Sequence, residues 1–209
     1  MCQEKKTYKD VDRGFHLDVY HDFLTQDYAK KVYDYLLHYI PWPKPLTNGK
    51  RVNINYGDKG VGYTLVINGY SIPRVLTCWD DDKQSYVNTL LRTLRDVVSQ
   101  TIESKLDYVV VQNYPTGSAI IKPHRDKEME PGTCIAGLSL GAKRLLKLTH
   151  IRTETSTQIE LPSGCLYVLR PPTNDLWLHS IEPDFTCKEG RISLTYRLSE
   201  LKKNEVGEE

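Results

Sequence analysis

The chain has 209 residues, with 28 Lys+Arg against 27 Asp+Glu and a formal net charge of +1. That balance excludes a sequence-nonspecific polycation, and bulk composition carries no mark of a nucleic-acid or membrane binder. With 39% hydrophobic and 26% charged residues the chain can bury one core, which argues against extended disorder. No apolar run approaches the roughly 18 to 20 residues that cross a bilayer, and the start MCQEKKTYKD lacks the apolar core of a secretory signal. The expectation is a soluble, intracellular protein of cytoplasm or nucleus, monomeric and with no membrane partner. Five cysteines, Cys2, Cys78, Cys134, Cys165 and Cys187, form no C-x-x-C pair. An odd, scattered set argues against a disulfide framework or a zinc knuckle.

In chain order, Thr25 is a plausible N-cap, and Ala29, Val32, Tyr33, Leu36, Leu37 and Ile40 recur at three- and four-residue steps. Pro41 and Pro43 end that helix. From Trp42 to Tyr70 the composition shifts to Gly, Asn and Tyr, with a turn at Tyr56-Gly57-Asp58, so loops and short strands are expected there. A second amphipathic helix spans about Ser85 to Ser104, with Val87, Leu90, Leu91, Leu94, Val97 and Val98 on one stripe.

Beyond Leu106 the period changes to short β-rich runs: Tyr108 to Tyr114, Ser118 to Pro123, Thr133 to Leu140, Leu145 to His150, Gln158 to Leu161, Cys165 to Leu169, Leu178 to Ile181 and Arg191 to Leu198. Eight such strands suggest a jelly roll. The organisation expected is a single α+β domain: residues 1–106 with helices and a lid at about 42–70, a double-stranded β-helix core at 107–200, and a frayed tail at 201–209.

Side chains alternate along a strand, so His124 and Asp126 of Pro123-His124-Arg125-Asp126 point the same way while Arg125 points away. His179, in Trp177-Leu178-His179-Ser180, can supply a third ligand. Two histidines and one carboxylate make the facial triad of non-heme Fe(II) oxygenases. Alone, H-x-D is common by chance. Support comes from Arg191-Ile192-Ser193-Leu194-Thr195-Tyr196-Arg197, where Arg191, Ser193, Thr195 and Arg197 share one face. Two guanidiniums aimed inward need anionic partners, and a small dicarboxylate supplies them. The alternative is a solvated outer face on an edge strand.

Taken jointly, H-x-D, the distal His and R-x-S-x-x-x-R resemble the AlkB family of iron- and 2-oxoglutarate-dependent dioxygenases. The resemblance runs from about Arg51 to Arg197 and includes the Tyr56-Gly57-Asp58 turn, Tyr63, Ser139-Leu140-Gly141 and Leu161-Pro162-Ser163-Gly164. It implies a double-stranded β-helix with N-terminal helices packed on one sheet and a nucleotide-recognition lid, and Fe(II) on His124, Asp126 and His179. It also implies 2-oxoglutarate as cosubstrate with O2: Arg191 on the distal carboxylate, Arg197 near the carboxylate beside the keto group, and Tyr114, Gln112 and Ser193 around it. Gln112 and Ser193 stand where Asn is usual in this family.

The implied reaction oxidises an N-methyl group to a hemiaminal that releases formaldehyde, with succinate and CO2 as coproducts. The implied substrate is methylated DNA or RNA, reached by flipping a base out of the stack. Residues 42–62 carry a local charge of +3 from Lys44, Lys50, Arg51 and Lys59 against Asp58, interleaved with Trp42 and Tyr56. By resemblance the substrate residues are Arg51, Tyr56, Tyr63, Leu65 and Glu128. Leu65 stands where duplex-repairing members place a stacking aromatic, a loss of about 1–3 kcal/mol, and Lys127 replaces an acidic residue, so single strands are favoured. Two other readings compete: the same chemistry on a protein or small molecule, and a catalytically dead nucleic-acid-binding module. His16, His21, His38 and His150 are assigned surface or helix positions with no role.

Overall fold

The structure, a computed structural model, describes residues 4–43, 50–67, 70–82 and 85–200; for 63–67 and 70–75 it describes the backbone. Two strands precede the first helix, β1 (Lys5–Asp10) and β2 (Phe15–Tyr20), turning at Gly14, whose φ of +58° is left-handed. Helix α1 (Gln26–Tyr39) starts where the Thr25 hydroxyl accepts the Tyr28 N–H at 3.3 Å and stops at Ile40, the residue before Pro41. Strands β3 (Val52–Gly57), β4 (Gly62–Ile67), β5 (Tyr70–Val75) and β6 (Thr77–Cys78) follow, then α2 (Tyr86–Ile102), capped by Ser85.

All eight strand runs expected after Leu106 are present. They are β7 (Tyr108–Tyr114), β8 (Ile121–His124), β9 (Ile135–Gly141), β10 (Arg144–His150), β11 (Ser156–Leu161), β12 (Leu166–Leu169), β13 (Trp177–Ile181) and β14 (Arg191–Arg197). A one-turn helix, α3 (Thr173–Leu176), joins β12 to β13.

An eight-stranded sheet in the order β1-β2-β12-β9-β14-β7-β3-β6 faces a four-stranded sheet, β11-β10-β13-β8, with β4–β5 as a separate hairpin. This is a jelly roll with helices on its outer face. The helices bury their stripes on the large sheet: Ala29, Val32 and Leu36 of α1 and Val87, Leu91, Leu94, Val98 and Ile102 of α2 join Val109, Val111, Leu138, Leu140, Ile192, Leu194 and Tyr196. On the sheet's other face, Leu17, Val19, Tyr114, Ile135 and Tyr167 meet Leu146, Leu148, Leu161 and Ile181. The period-2 alternation of β14 therefore sends its apolar residues to the helices and its arginines between the sheets.

Short strands do fall between residues 42 and 70, where β3 pairs with β7 in the large sheet, while three features differ from the sequence expectations. Two strands that were not expected precede the first helix, and β2 pairs with β12 in the same sheet. β2 escaped notice because its inner face, Leu17 and Val19, is short and flanked by charged residues. Tyr56, assigned to substrate, is 2% exposed and belongs to the core under the helices, paired across from Val109. Trp42 likewise packs against that core. His150 is buried, with its ring against Trp177 and Nδ1 bonded to Thr153, rather than on the surface.

The side chains of Tyr63 and Leu65, together with Lys44, Cys2 and the tail 201–209, lie outside the described residues. The other four cysteines are free. Among the described residues no helix is long and apolar enough to cross a membrane.

Candidate metal centre and cosubstrate pocket

Pairing of β8 with β13 puts His124 directly opposite His179, with ring centroids 4.2 Å apart. Asp126 lies two residues past the first histidine and turns back: its Oδ1 is 3.5 Å from His124 Nε2 and 3.9 Å from His179 Nε2. One ligand atom from each of the three lies within 4.8 Å of the other two. One ion could touch all three with bonds of about 2.0–2.2 Å. The His124 Nδ1 faces the Lys122 carbonyl at 2.8 Å. Donating that hydrogen leaves Nε2 as the lone-pair nitrogen, the outer-shell arrangement expected of a ligating histidine.

Protonation states also suit a metal. Burial pushes the His179 imidazole down to about 4, against the pull of Asp126, so it is neutral near pH 7. Burial alone would raise the Asp126 carboxyl; the Arg197 guanidinium, its Nη2 2.5 Å from Oδ2, and the contact with His124 outweigh it and hold the group well below the usual carboxylate range. A neutral imidazole and an ionised carboxylate need no proton removed before a cation binds.

Arg191, Ser193, Thr195 and Arg197 line the pocket beneath these ligands with Gln112, Tyr114, Tyr167 and Ile121. Arg191 is 1% exposed. Its Nε donates to Ser139 Oγ at 2.9 Å and its Nη2 to Ser193 Oγ at 3.3 Å, while Nη1 is buried with no partner among the described residues. A buried guanidinium satisfied by two hydroxyls still lacks its counter-charge, and a carboxylate is the group its fork fits. The donor set and this orphaned N–H together fit Fe(II) with a 2-oxo dicarboxylate. Gly137 helps shape the pocket, since a Cβ there would collide with the Tyr167 ring.

Gln112 is reached from two sides: its Oε1 accepts the Tyr114 hydroxyl at 2.8 Å and Arg51 Nη1 at 3.2 Å. Arg51, expected in the lid, thus also touches the cosubstrate wall. Arg197 is drawn to Asp126 in the described arrangement, and its guanidinium lies 5.9 Å from the Tyr108 ring. Glu128 is half-buried; its carbonyl accepts the Tyr108 hydroxyl at 2.7 Å and its carboxylate takes the Lys127 N–H.

Sequence reasoning missed two supports. Asn174 of α3 grips the ligand loop through both backbone groups of Asp126, accepting its N–H at 3.0 Å and donating to its carbonyl at 2.7 Å. Arg144, 3% exposed, donates to the carbonyls of Ala119 and Glu182 and ties together the segments that enter β8 and leave β13. Nothing in PPTND marks Asn174 beyond ordinary turn chemistry, because its partner is 48 residues away.

A jelly roll with a three-ligand cation cradle at one mouth and an anion-seeking guanidinium a few ångströms deeper is the architecture of 2-oxoglutarate-dependent metallo-oxygenases. The chain belongs to the 2OG-Fe(II) oxygenase superfamily, whose family model matches residues 16–197. It is 31% identical over 157 residues to mouse "DNA oxidative demethylase ALKBH2", covering 70% of this chain and 61% of that protein. To human "Alpha-ketoglutarate-dependent dioxygenase alkB homolog 3" it is 22% identical over 193 residues, covering 86% and 64%. The chain thus spans about three fifths of the length of these curated relatives. The solved structure of OsALKBH1 superposes with a TM-score of 0.59 at 16% identity, over 87% of this chain and 97% of that one, a likeness of fold.

Proposed function

We propose that the protein is an Fe(II)/2-oxoglutarate-dependent dioxygenase that oxidatively demethylates N-alkylated bases in nucleic acid, DNA or RNA with single strands favoured. Formaldehyde, succinate and CO2 are the products. The observation that carries the reading is the buried Arg191 with an unpartnered Nη1 beneath the His-Asp-His cluster. Iron held by His124, Asp126 and His179 would supply oxidative decarboxylation of the cosubstrate and C–H hydroxylation with O2 as oxidant.

The chain's own residues bind and orient. Arg191 and Ser193 take the distal carboxylate, and Arg197 sets the charge of Asp126 and the polarity beside the keto acid. Tyr114 and Gln112 close the pocket wall, and Tyr108, held protonated by burial, fixes the loop carrying Glu128 through its hydroxyl. No side chain has to abstract a proton, because the hemiaminal falls apart unaided. The AlkB relatives support a nucleic-acid substrate, and Lys50 and Arg51, which line the groove beside His124, suit its phosphates.

The test is to incubate the protein with Fe(II), ascorbate, 2-oxoglutarate and methylated single- and double-stranded oligonucleotides, and to weigh the products. Loss of 14 mass units, about one CH2, from single strands is expected, and His124→Ala should abolish it together with succinate release. Succinate formation with no oligonucleotide demethylated would transfer the chemistry to a protein or small molecule.

A further inference from the structure

A groove of about 620 Å³ opens beside the metal cradle, lined by Lys50, Arg51, Ser118, Ala119, Ile120, Ile121, Lys122 and His124. Among the described residues, three cations and no carboxylate line it. Its middle is apolar, with Ile120 39% exposed, and its inner end is the metal-ligand histidine. The other opening near the site, walled by Arg125, Lys127, Glu130 and Asp175, mixes both signs, and Arg125 there is committed to the Asp175 carbonyl at 2.8 Å.

We propose that this groove is the track on which a single nucleic-acid strand enters, with Lys122 gripping the phosphate beside the reacting base and Ile120 and Ile121 under the neighbouring bases. The inference rests on the nucleic-acid reading above and names the surface that reading needs. Its chemistry is charge complementarity: a ligand presenting repeated negative charge and flat apolar faces together matches cations alternating with an apolar floor. A duplex hides its base faces and has no use for the isoleucines.

Lys122 differs in kind from the lid cations. It is on β8, in the small sheet of the barrel, two residues before His124 and on the wall of the same groove. The backbone carbonyl of Lys122 also holds the His124 ring. A phosphate caught by its side chain is thus placed at a fixed distance from the metal, whereas Lys50 and Arg51 precede β3 and approach from the opposite wall.

The test is fluorescence anisotropy of a labelled strand of about a dozen nucleotides carrying one N-methylated base. The full chain is used with 2-oxoglutarate and Mn(II), over a range of salt. Each phosphate contact removed should flatten the slope of log K against log[salt] by about 0.7 for a single strand. Lys122→Ala is expected to do so once and Lys50→Ala/Lys122→Ala twice, with at least threefold weaker binding at low salt for each step. Lys31→Glu, an exposed cation on α1 at the outer face of the large sheet, should leave the slope unchanged. Melting curves confirm that the variants fold.

A slope equal to wild type in both alanine variants, while wild type binds and demethylates the strand, overturns the groove alone. Tighter binding of duplex than of single strand overturns the role of the isoleucine floor. If wild type binds no strand, or binds an acidic peptide better, the nucleic-acid reading itself fails and takes the groove with it.

Discussion

Replacing Arg191 by Met should separate stability from binding in a way an ordinary buried arginine would not. Arg191 is 1% exposed, its guanidinium donates to two serine hydroxyl oxygens at 2.9 and 3.3 Å, and among the described residues no carboxylate pairs with it. Its charged neighbour is like-signed: burial first, and then Arg191 itself, lowers the Arg144 pKa. Breaking a buried ion pair costs about 3–5 kcal/mol because a lone charge is left behind. Here the lone charge is the residue removed, so Arg191→Met should melt at or above the wild-type temperature in the absence of cosubstrate.

Cosubstrate binding should move the other way. Two charge-assisted hydrogen bonds at about 1.5–3 kcal/mol each predict at least a hundredfold loss of 2-oxoglutarate affinity at about 1.4 kcal/mol per tenfold. Thermal melts with Mn(II), without O2 and with 2-oxoglutarate at about a hundred times the wild-type Kd read both. Wild type should gain about 2.7 kcal/mol of stability from the ligand and the variant almost none. A variant that melts far below wild type without ligand, or keeps the ligand-induced shift, would refute the claim that Arg191 is an unpaired cation waiting for a carboxylate.

Two further outcomes follow from the same geometry. Asn174→Ala should lower metal affinity about 10- to 100-fold, the usual cost of losing an outer-shell support, because the buried Asp126 N–H and carbonyl lose both partners; Mn(II) or Co(II) titration followed spectroscopically checks it, and unchanged affinity would reduce Asn174 to a loop filler. Asp107, whose carboxyl is raised by burial against the help of Ser199 and with Asp58 adding, should be a net burden at neutral pH. With the folded-state pKa above the unfolded one, its stabilising contribution is present in acid and is lost as pH rises through the folded value. Asp107→Asn, which can still accept the Ser199 N–H and donate to its hydroxyl, should therefore raise Tm at pH 7 and gain little in acid, whereas a Tm advantage that grows toward low pH would show the sign to be wrong.

What the sequence disclosed, and what it hid, follows from the range over which each signal acts. The alternation Arg191-Ser193-Thr195-Arg197 against Ile192-Leu194-Tyr196 is a local, period-2 pattern, and it marked both the strand and the face that carries charge. His124 and Asp126 were legible as an H-x-D pair, although β8 ends at His124 and Asp126 sits on the loop beyond it, held by Asn174 rather than by strand alternation; His179 was legible only because the family pattern carried it. Tyr56 was misassigned because an aromatic in a basic, glycine-rich stretch reads alike whether it stacks on a base or fills a core. Register against Val109 decides for the core, and register is not local. Asn174 and Arg144 act through backbone atoms of distant residues, whose identity leaves no trace in composition.

The two faces of β14 also tie stability to chemistry more tightly than either does alone. Ile192, Leu194 and Tyr196 lock the strand to the helices, Tyr196 donating its hydroxyl to the Leu91 carbonyl at 3.3 Å. The alternate residues place two guanidiniums, one paired with the Asp126 carboxylate of the metal cradle and one left open. A one-residue slip of this strand would turn both arginines to the helix side at once. Core packing by the helices is thus what keeps an uncompensated cation aimed at the cosubstrate, and that concentration of positive charge around one buried carboxylate is invisible in a chain whose total is +1.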